Sequence, residues 1–172
     1  MILIKLTQTR PVGIGQKAWR HIMRSAHQKM GEHWHHTMLP DHFTVGARAR
    51  YRHQLRTSRY RKEKADKASR GVPFRKNQPP IVLGGQVDNV LTGYMQQQLQ
   101  QSRTIRAFPS RVTVRMFGPR YITMTPYKSR QPNKSKEVTT VTEAQRKELA
   151  IVLRDEVEAG IQKYKQPSTT NL

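Results

Sequence analysis

The sequence contains no cysteine, and it has only 11 acidic residues among its 172. A chain without cysteine forms neither a disulfide framework nor a thiolate metal site. It also has no run of the roughly 18 apolar residues that a membrane-spanning helix needs. The apolar stretch at the start, Ile2 to Leu6, is too short for the core of a secretion signal. We therefore expect neither a membrane span nor secretion.

Apolar residues are also scarce, at 35% of the sequence. An average globular chain reaches about 45–50% when glycine is included. The length suits one domain, or one domain with arms. The sequence thus predicts a modest hydrophobic core and a large polar surface.

Positive charge is in excess: the formal net charge is +21 and the isoelectric point is near 11.1. A charge of this size indicates a polyanionic partner, a polyanionic surface or acidic neighbouring subunits.

The pattern of apolar residues predicts an α+β fold with long N-terminal helices and a small antiparallel hairpin packed against a C-terminal helix. We divide the chain into an N-terminal strand or arm (1–13), a long helical region (14–70), a small α+β core with the C-terminal helix (71–165) and a flexible tail (166–172). Apolar residues at helical spacing predict a first helix over 14–38, which Pro40 ends. They are Trp19, Ile22, Met23, Ala26, Met30 and Trp34.

Two strands are predicted at 104–108 and 111–117, with a turn at Pro109-Ser110. Val112, Val114 and Met116 would share one face of the second strand, and Arg111, Thr113 and Arg115 the other. The glutamine-rich segment 95–102 before the hairpin is interpreted as a solvated helix end or a loop, and 126–137 as a basic loop.

The closing helix should begin at the capping box formed by Thr142 and Gln145 and run to about Tyr164. An apolar stripe that includes Leu149, Leu153 and Val157 would face the core. The opposite face holds nearly half of the acidic residues, and it is a candidate partner for basic surfaces of other copies. These residues are Glu143, Glu148, Asp155, Glu156 and Glu158.

The segment 48–70 holds ten basic residues against Glu63 and Asp66. Neither proline nor glycine interrupts 47–70, and Phe43, Ala47, Tyr51 and Leu55 are spaced four apart, so we predict one long helix with a thin apolar seam. Asp41 is a plausible N-cap for it. Because like charges four residues apart repel, such a helix needs an acidic or apolar neighbour. Three interpretations stay open: a solvated basic face, a nucleic-acid-binding surface of arginine and tyrosine, and a protein-assembly surface.

No catalytic motif is present, so we expect a protein that is not an enzyme and has no cofactor. Histidines cluster near the end of the first helix, together with Glu32 and Asp41. Only His33 and His36 have a spacing that places them on one helix face, and the motif HExxH is absent. Our prediction is that no metal is bound; a metal-dependent nucleic-acid enzyme built on this cluster is a third hypothesis for function.

Several short motifs follow one another between residues 34 and 160. They are Trp34, Leu39-Pro40-Asp41-His42-Phe43, Ala49-Arg50-Tyr51, Arg56, Tyr60, Lys64, Pro80-Ile81-Val82-Leu83-Gly84-Gly85, Gly118-Pro119-Arg120-Tyr121, Pro132-Asn133-Lys134 and Glu137-Val138-Thr139-Thr140-Val141-Thr142. Their order resembles that of tailed-bacteriophage neck or tail-completion proteins. Gly84 stands where that family has serine or threonine, and Val87 where it has leucine.

This resemblance implies a virion structural protein, assembled in the host cytoplasm, that forms a homo-oligomeric ring at the head–tail junction. Such rings join the connector to the tail, contact connector, adaptor and tail proteins, and leave an axial path for DNA. The alternative is a ribosomal or other RNA-binding basic protein. The residues expected at interfaces are Arg48, Arg50, Tyr51, Arg52, Arg56, Arg59, Tyr60, Lys128, Arg130 and Lys134.

Overall fold

The computed structural model describes residues 2–6, 8–53, 56–73, 94–118 and 134–165. A short strand and a long helix are followed by a π-helical turn (Trp34–Met38) and a 3-10 turn (Pro40–Phe43). Short helices, a hairpin and a second long helix complete the described chain. In order, the elements are β1 (Ile2–Ile4), α1 (Gln16–His33), α2 (Ala47–Tyr51), α3 (Ser58–Ser69), α4 (Tyr94–Gln101), β2 (Arg103–Phe108), β3 (Arg111–Met116), α5 (Lys134–Thr139) and α6 (Glu143–Lys165).

The predicted α+β class is confirmed, with a small three-stranded antiparallel sheet and a long C-terminal helix. Among the described residues, no helix is both long enough and apolar enough to cross a membrane. The chain divides into two compact units. The first comprises Met1–His35, Thr104–Arg115 and Glu143–Leu172, and the second His36–Arg103 and Met116–Thr142. Each unit draws on more than one of the four predicted segments.

In the first unit, α1 and α6 pack along each other. The contact is apolar, with Ile22, Met23 and Met30 buried on α1, and Leu149, Leu153 and Val157 buried on α6. Gly160 lets the helices approach closely, because a Cβ atom placed there would lie 2.8 Å from Ile22. The periodicity of α6 is therefore explained by this interface, and that of α1 by this interface together with the sheet.

The sheet of the same unit has the strand order β1-β3-β2 and packs one face on α1. Ile2 pairs with Val114, and Ile4 with Val112, and both valines are fully buried. These valines reach α1 at Gly31, where an added Cβ would lie 2.8 Å from a methyl carbon of Val112. The predicted alternation along β3 is confirmed, because Arg111 and Arg115 are exposed on the opposite face.

In the part that the structure describes, the second unit has a more polar interior. Its buried apolar residues include Phe43, Ala47, Leu99 and Val138. They share the interior with buried polar and charged side chains, namely His42, His53, Arg56, Lys64 and Glu137.

The prediction of one helix over 47–70 is wrong, because the basic segment is split into α2 and α3. Arg52 follows α2 in the left-handed conformation, with φ 52° and ψ 43°. A new helix then starts at Ser58, where the hydroxyl of Thr57 caps it by accepting a hydrogen bond from the amide of Tyr60. The break turns His53 and Arg56 into the interior.

Three smaller predictions also change. Asp41 is not a helix cap, because it lies inside the 3-10 turn and accepts a hydrogen bond from Arg50. The glutamine-rich segment is a helix, α4, which buries Met95 and Leu99. Lys134 starts helix α5 instead of lying in a loop.

Several predicted features lie outside the described residues. They are Leu55 of the apolar seam, the motifs at 80–85 and 119–121, Val87, the part of the basic loop at 126–133 and the tail at 166–172.

Candidate functional site: the basic segment

Five exposed cations of the basic segment lie on α2, on α3 and in the link between them. No ion pair joins any of them to another residue in the part of the chain that the structure describes. We call this set the exposed cation set, and its members are Arg48, Arg52, Arg59, Arg61 and Lys62.

Three other cations of the segment pair with nearby carboxylates at the surface. Arg50 Nη1 donates a hydrogen bond of 2.7 Å to Asp41 Oδ2. Lys67 pairs with Glu63 at 3.0 Å, and Arg70 with Asp66, one helical turn apart in each case. Because these pairs are partly or largely exposed, each contributes little to stability. They do, however, occupy Asp41, Glu63 and Asp66, the carboxylates near these cations in sequence.

Arg56 is the exception, because it is buried and makes a two-pronged ion pair. Its Nη1 and Nη2 donate to the two carboxylate oxygens of Glu137, at 3.0 and 2.7 Å. Both side chains are less than a tenth exposed. Removing one partner of such a pair leaves an uncompensated charge in the interior, so the pair links the basic segment firmly to α5.

An aromatic stack lies beside this pair. The ring of His42 lies 3.7 Å from that of Tyr51, with an angle of 18° between the two planes. His53 is the third ring of the cluster, and its Nε2 donates to the backbone carbonyl of Glu137 at 3.2 Å. Because a carbonyl only accepts, this bond places the hydrogen of His53 on Nε2. Glu137 thus anchors both the stack and Arg56.

Burial lowers the pKa of His42 to about 4, from an ordinary value of 6.5. The neighbouring His53 lowers this pKa further when it carries charge, whereas the backbone of Glu137 acts in the opposite direction. His42 is therefore neutral at neutral pH, which permits its close stacking on Tyr51.

The inner side of α3 is unusually polar. Lys64 is 1% exposed and Tyr60 is half-buried, one helical turn away. The helix has no leucine, isoleucine, valine or phenylalanine. Its inner side thus carries the buried Lys64 and the half-buried Tyr60, and its outer side carries Arg59, Arg61 and Lys62.

The structure describes eight of the ten predicted interface residues, which differ in burial. Arg48, Arg50, Arg52 and Arg59 lie on the surface. Tyr51 and Arg56 do not, because they pack inside the unit against His42 and Glu137. Tyr60 and Lys134 are half-buried, and Lys128 and Arg130 lie outside the described residues.

The histidine cluster is dispersed. His33 contacts Glu148 at 2.8 Å, His36 contacts Arg103 at 2.8 Å, and His42 belongs to the stack. Across the described ranges, no group of three or more histidines and carboxylates could hold a metal ion.

The acidic residues of α6 form mixed pairs and not an acidic face. Arg154 lies 3.0 Å from Asp155 and 3.8 Å from Glu158, and Arg146 lies 3.9 Å from Glu143. Since His33 contacts Glu148 as well, most of these carboxylates already have a partner in the same chain.

Two features were missed by the sequence analysis. The first is the role of Glu137, which lies 81 residues from Arg56 in sequence and gives no local signal. The second is that the outer face of the sheet is a candidate site: the predicted alternation placed Arg111 and Arg115 on it, but the exposed Arg106 of β2 and the basic character of the whole face were not noted. The alternation of arginine with apolar residues in β3, with no acidic residue nearby, was the signal available for it.

No protein-family model matches the sequence, and neither a curated protein nor a solved structure is similar to it at a significant level.

Proposed function

We propose that the chain is a non-enzymatic structural subunit of a phage head–tail junction, which assembles into a ring that joins the connector to the tail around the DNA path. The observation that supports this most is the exposed cation set, since five cations on neighbouring elements have no carboxylate to pair with among the described residues. Only one acidic residue, Asp88, lies outside the described ranges, so most of their neutralisation has to come from other molecules.

The chain's own carboxylates are already engaged. Of the ten acidic residues in the described ranges, nine lie within 4.0 Å of a basic or histidine side chain of the same chain. The tenth, Glu156, is half-buried beside Lys17 and Lys163, at the groove between α1 and α6. The predicted acidic face on α6 therefore offers little to a neighbouring copy.

Copies of this chain cannot neutralise one another, because each adds a net charge of +21. A ring of such subunits is electrostatically stable only if a polyanion or acidic proteins accompany it. DNA in the channel, or acidic connector, adaptor and tail proteins around it, would meet this requirement. We therefore assign the exposed cation set to contacts with these partners inside the virion.

The resemblance in motif order supports the same assignment, as does the absence of catalytic motifs from the sequence. We assign the contacts between subunits to Arg48, Arg52 and Arg59, which are exposed, and not to Tyr51 and Arg56, which are buried in their own unit.

The test is the mass and shape of the purified chain with and without its surface cations. We expect the wild type, at physiological salt and with added duplex DNA, to form closed rings visible by negative-stain microscopy. The triple variant Arg48→Gln, Arg52→Gln, Arg59→Gln should remain folded but lose the rings. A matched triple variant in the first unit, Arg20→Gln, Arg24→Gln, Lys147→Gln, removes equal charge and should still form rings. Rings in both variants would contradict the assignment of the subunit contacts to Arg48, Arg52 and Arg59.

An RNA-binding protein is the second candidate, because the same exposed cations suit phosphates. It would remain monomeric and bind nucleic acid through the exposed cation set. Five contacts with a duplex would give a log–log salt slope of about −4.5. Monomers with that slope, reduced by the Arg48, Arg52 and Arg59 substitutions, would favour this alternative over the ring.

A further inference from the structure

The outer face of the sheet forms a regular grid of side chains. Leu3 of β1 pairs with Thr113 of β3, so these two side chains point to the same side. The turn at Pro109-Ser110 and the hydrogen bond from the amide of Phe117 to the carbonyl of Ser102 set the register of β2 and β3. It places Phe108 opposite Arg111, Arg106 opposite Thr113, and Thr104 opposite Arg115. We call these residues, with Lys5 just beyond β1, the outer sheet face.

The outer sheet face has four cations and no carboxylate. Lys5, Arg106, Arg111 and Arg115 are all exposed. No acidic residue occurs in 2–6 or in 103–118. Like charges on neighbouring strands destabilise a sheet, and here none of the four has an ion-pair partner in the described ranges. The face therefore gains stability when it meets closely spaced anions.

An aromatic ring is part of the same face. Phe108 is 40% exposed, and the guanidinium carbon of Arg111 lies 5.0 Å from its ring centroid. This cation–π contact holds the guanidinium beside the ring. Leu3, 58% exposed, adds an apolar patch at the other edge. A base could stack on this ring while its phosphate meets the neighbouring arginines.

A second copy of the chain does not fit this face, because it would bring more positive charge and its carboxylates are engaged. Duplex DNA satisfies the cations but leaves Phe108 unused, since its bases are stacked inside the helix. Single-stranded nucleic acid supplies both groups, with phosphates at short intervals and bases that are free to stack.

We propose that the outer sheet face binds single-stranded nucleic acid, with Arg106, Arg111 and Arg115 on the phosphates and a base stacked on Phe108. The inference does not depend on the ring described above, because all residues involved belong to the first unit and none belongs to the exposed cation set. The proposed ring and the proposed nucleic-acid site can therefore be disproved independently of each other.

The experiment measures binding of a fluorescent twelve-residue oligothymidylate to the full chain by anisotropy, at several salt concentrations. Phe108→Ala should weaken binding about 10-fold, as loss of one stacked base does, without changing the salt slope. Phe108→Tyr should keep the affinity within about 3-fold, because the ring remains. The triple variant Arg106→Gln, Arg111→Gln, Arg115→Gln should lower the magnitude of the slope by about 2.

The controls separate this site from binding by net charge. The triple variant Arg20→Gln, Arg24→Gln, Lys147→Gln removes equal charge from α1 and α6, and it should weaken binding less than 3-fold. The proposal is overturned if this control weakens binding as much as the sheet triple, if Phe108→Ala has no effect, or if a twelve-base-pair duplex binds more tightly. It is also overturned if poly-glutamate competes as well as the oligonucleotide at equal charge. Circular dichroism of each variant checks folding, and loss of binding by a sheet variant supports the proposal only if its spectrum is unchanged.

Discussion

The two units of this molecule are stabilised in different ways. The first has a conventional interior, in which the apolar stripes of α1 and α6 pack together and valines of the sheet rest on Gly31. In its described part, the second buries an ion pair, a histidine–tyrosine stack and a lysine alongside apolar residues such as Phe43 and Leu99. We therefore expect charge to contribute more to the stability of the second unit than to that of the first.

This difference shows how a strongly basic segment can fold. The segment does not form one long helix stabilised by a partner; a left-handed residue breaks it, and Glu137 neutralises Arg56 from within. The charge of Arg56 is balanced inside the unit, and the proposed function assigns the surface charge to partners. Breaking the Arg56–Glu137 pair should thus affect folding, whereas removing surface cations should affect assembly.

The largest effect is expected from Glu137→Ala, which leaves Arg56 buried without its partner. We expect the free energy of unfolding of the second unit to fall by about 3–5 kcal/mol. Amide hydrogen exchange resolved by peptide should show faster exchange in α3 and α5 than in α1 and α6. The double variant Arg56→Met, Glu137→Leu should recover most of the stability; if α1 and α6 lose protection first, the assignment of the pair to the second unit is wrong.

Acid should weaken the second unit through His42. Its pKa is about 4 in the folded chain and 6.5 in the unfolded chain, so the unfolded state binds the proton first. The stability is fully present above pH 6.5 and is lost as the pH falls towards 4, by about 3 kcal/mol in total. Burial also lowers the pKa of His27 in the first unit, so acid should destabilise that unit as well.

Urea unfolding between pH 7 and pH 4 measures this effect. His42→Gln should flatten the pH dependence of the second unit, and His27→Gln that of the first. A profile that is unchanged by His42→Gln would contradict the role given to the buried imidazole.

An intermediate effect is expected in the first unit from Gly31→Ala. The added Cβ would lie 2.8 Å from Val112 and 3.1 Å from Ile105, so the sheet or α1 has to shift. We expect destabilisation of about 1–3 kcal/mol, as overpacking of a core produces. Ser25→Ala, on an exposed position of the same helix, should change stability by less than about 0.5 kcal/mol. The fluorescence of Trp19 and Trp34, both in the first unit, reports the unfolding.

The smallest effect is expected from Arg50→Ala, which removes the exposed ion pair with Asp41. Both side chains are at least 40% exposed, so the loss should stay below about 1 kcal/mol. The same urea titration that is used for Glu137→Ala measures it. A loss of stability as large as that of Glu137→Ala would show that burial does not account for the different contributions of the two ion pairs.

The sequence predicted what depends on local periodicity. The first helix, the hairpin with its alternating faces, the closing helix and the α+β class all follow from spacing, and the structure confirms them. The break at Arg52 could not be predicted in this way, because no glycine or proline marks it. It is stabilised by contacts with Glu137, 81 residues away from Arg56, and the local sequence carries no trace of that pairing.

The candidate site was predicted in part. The density of basic residues located the exposed cation set, but it did not distinguish Arg56 from Arg59, since burial depends on the tertiary fold. The histidine spacing suggested a cluster, which the bend of the chain after α1 disperses among separate partners.

The most direct test is the mass of the purified chain at physiological salt, over a range of concentrations and with duplex DNA present. A subunit whose surface charge is neutralised by companions around a DNA path should give one closed oligomer of defined mass with a central channel. A compact monomer at every concentration, which binds RNA through Arg48, Arg52 and Arg59, would contradict the proposed function.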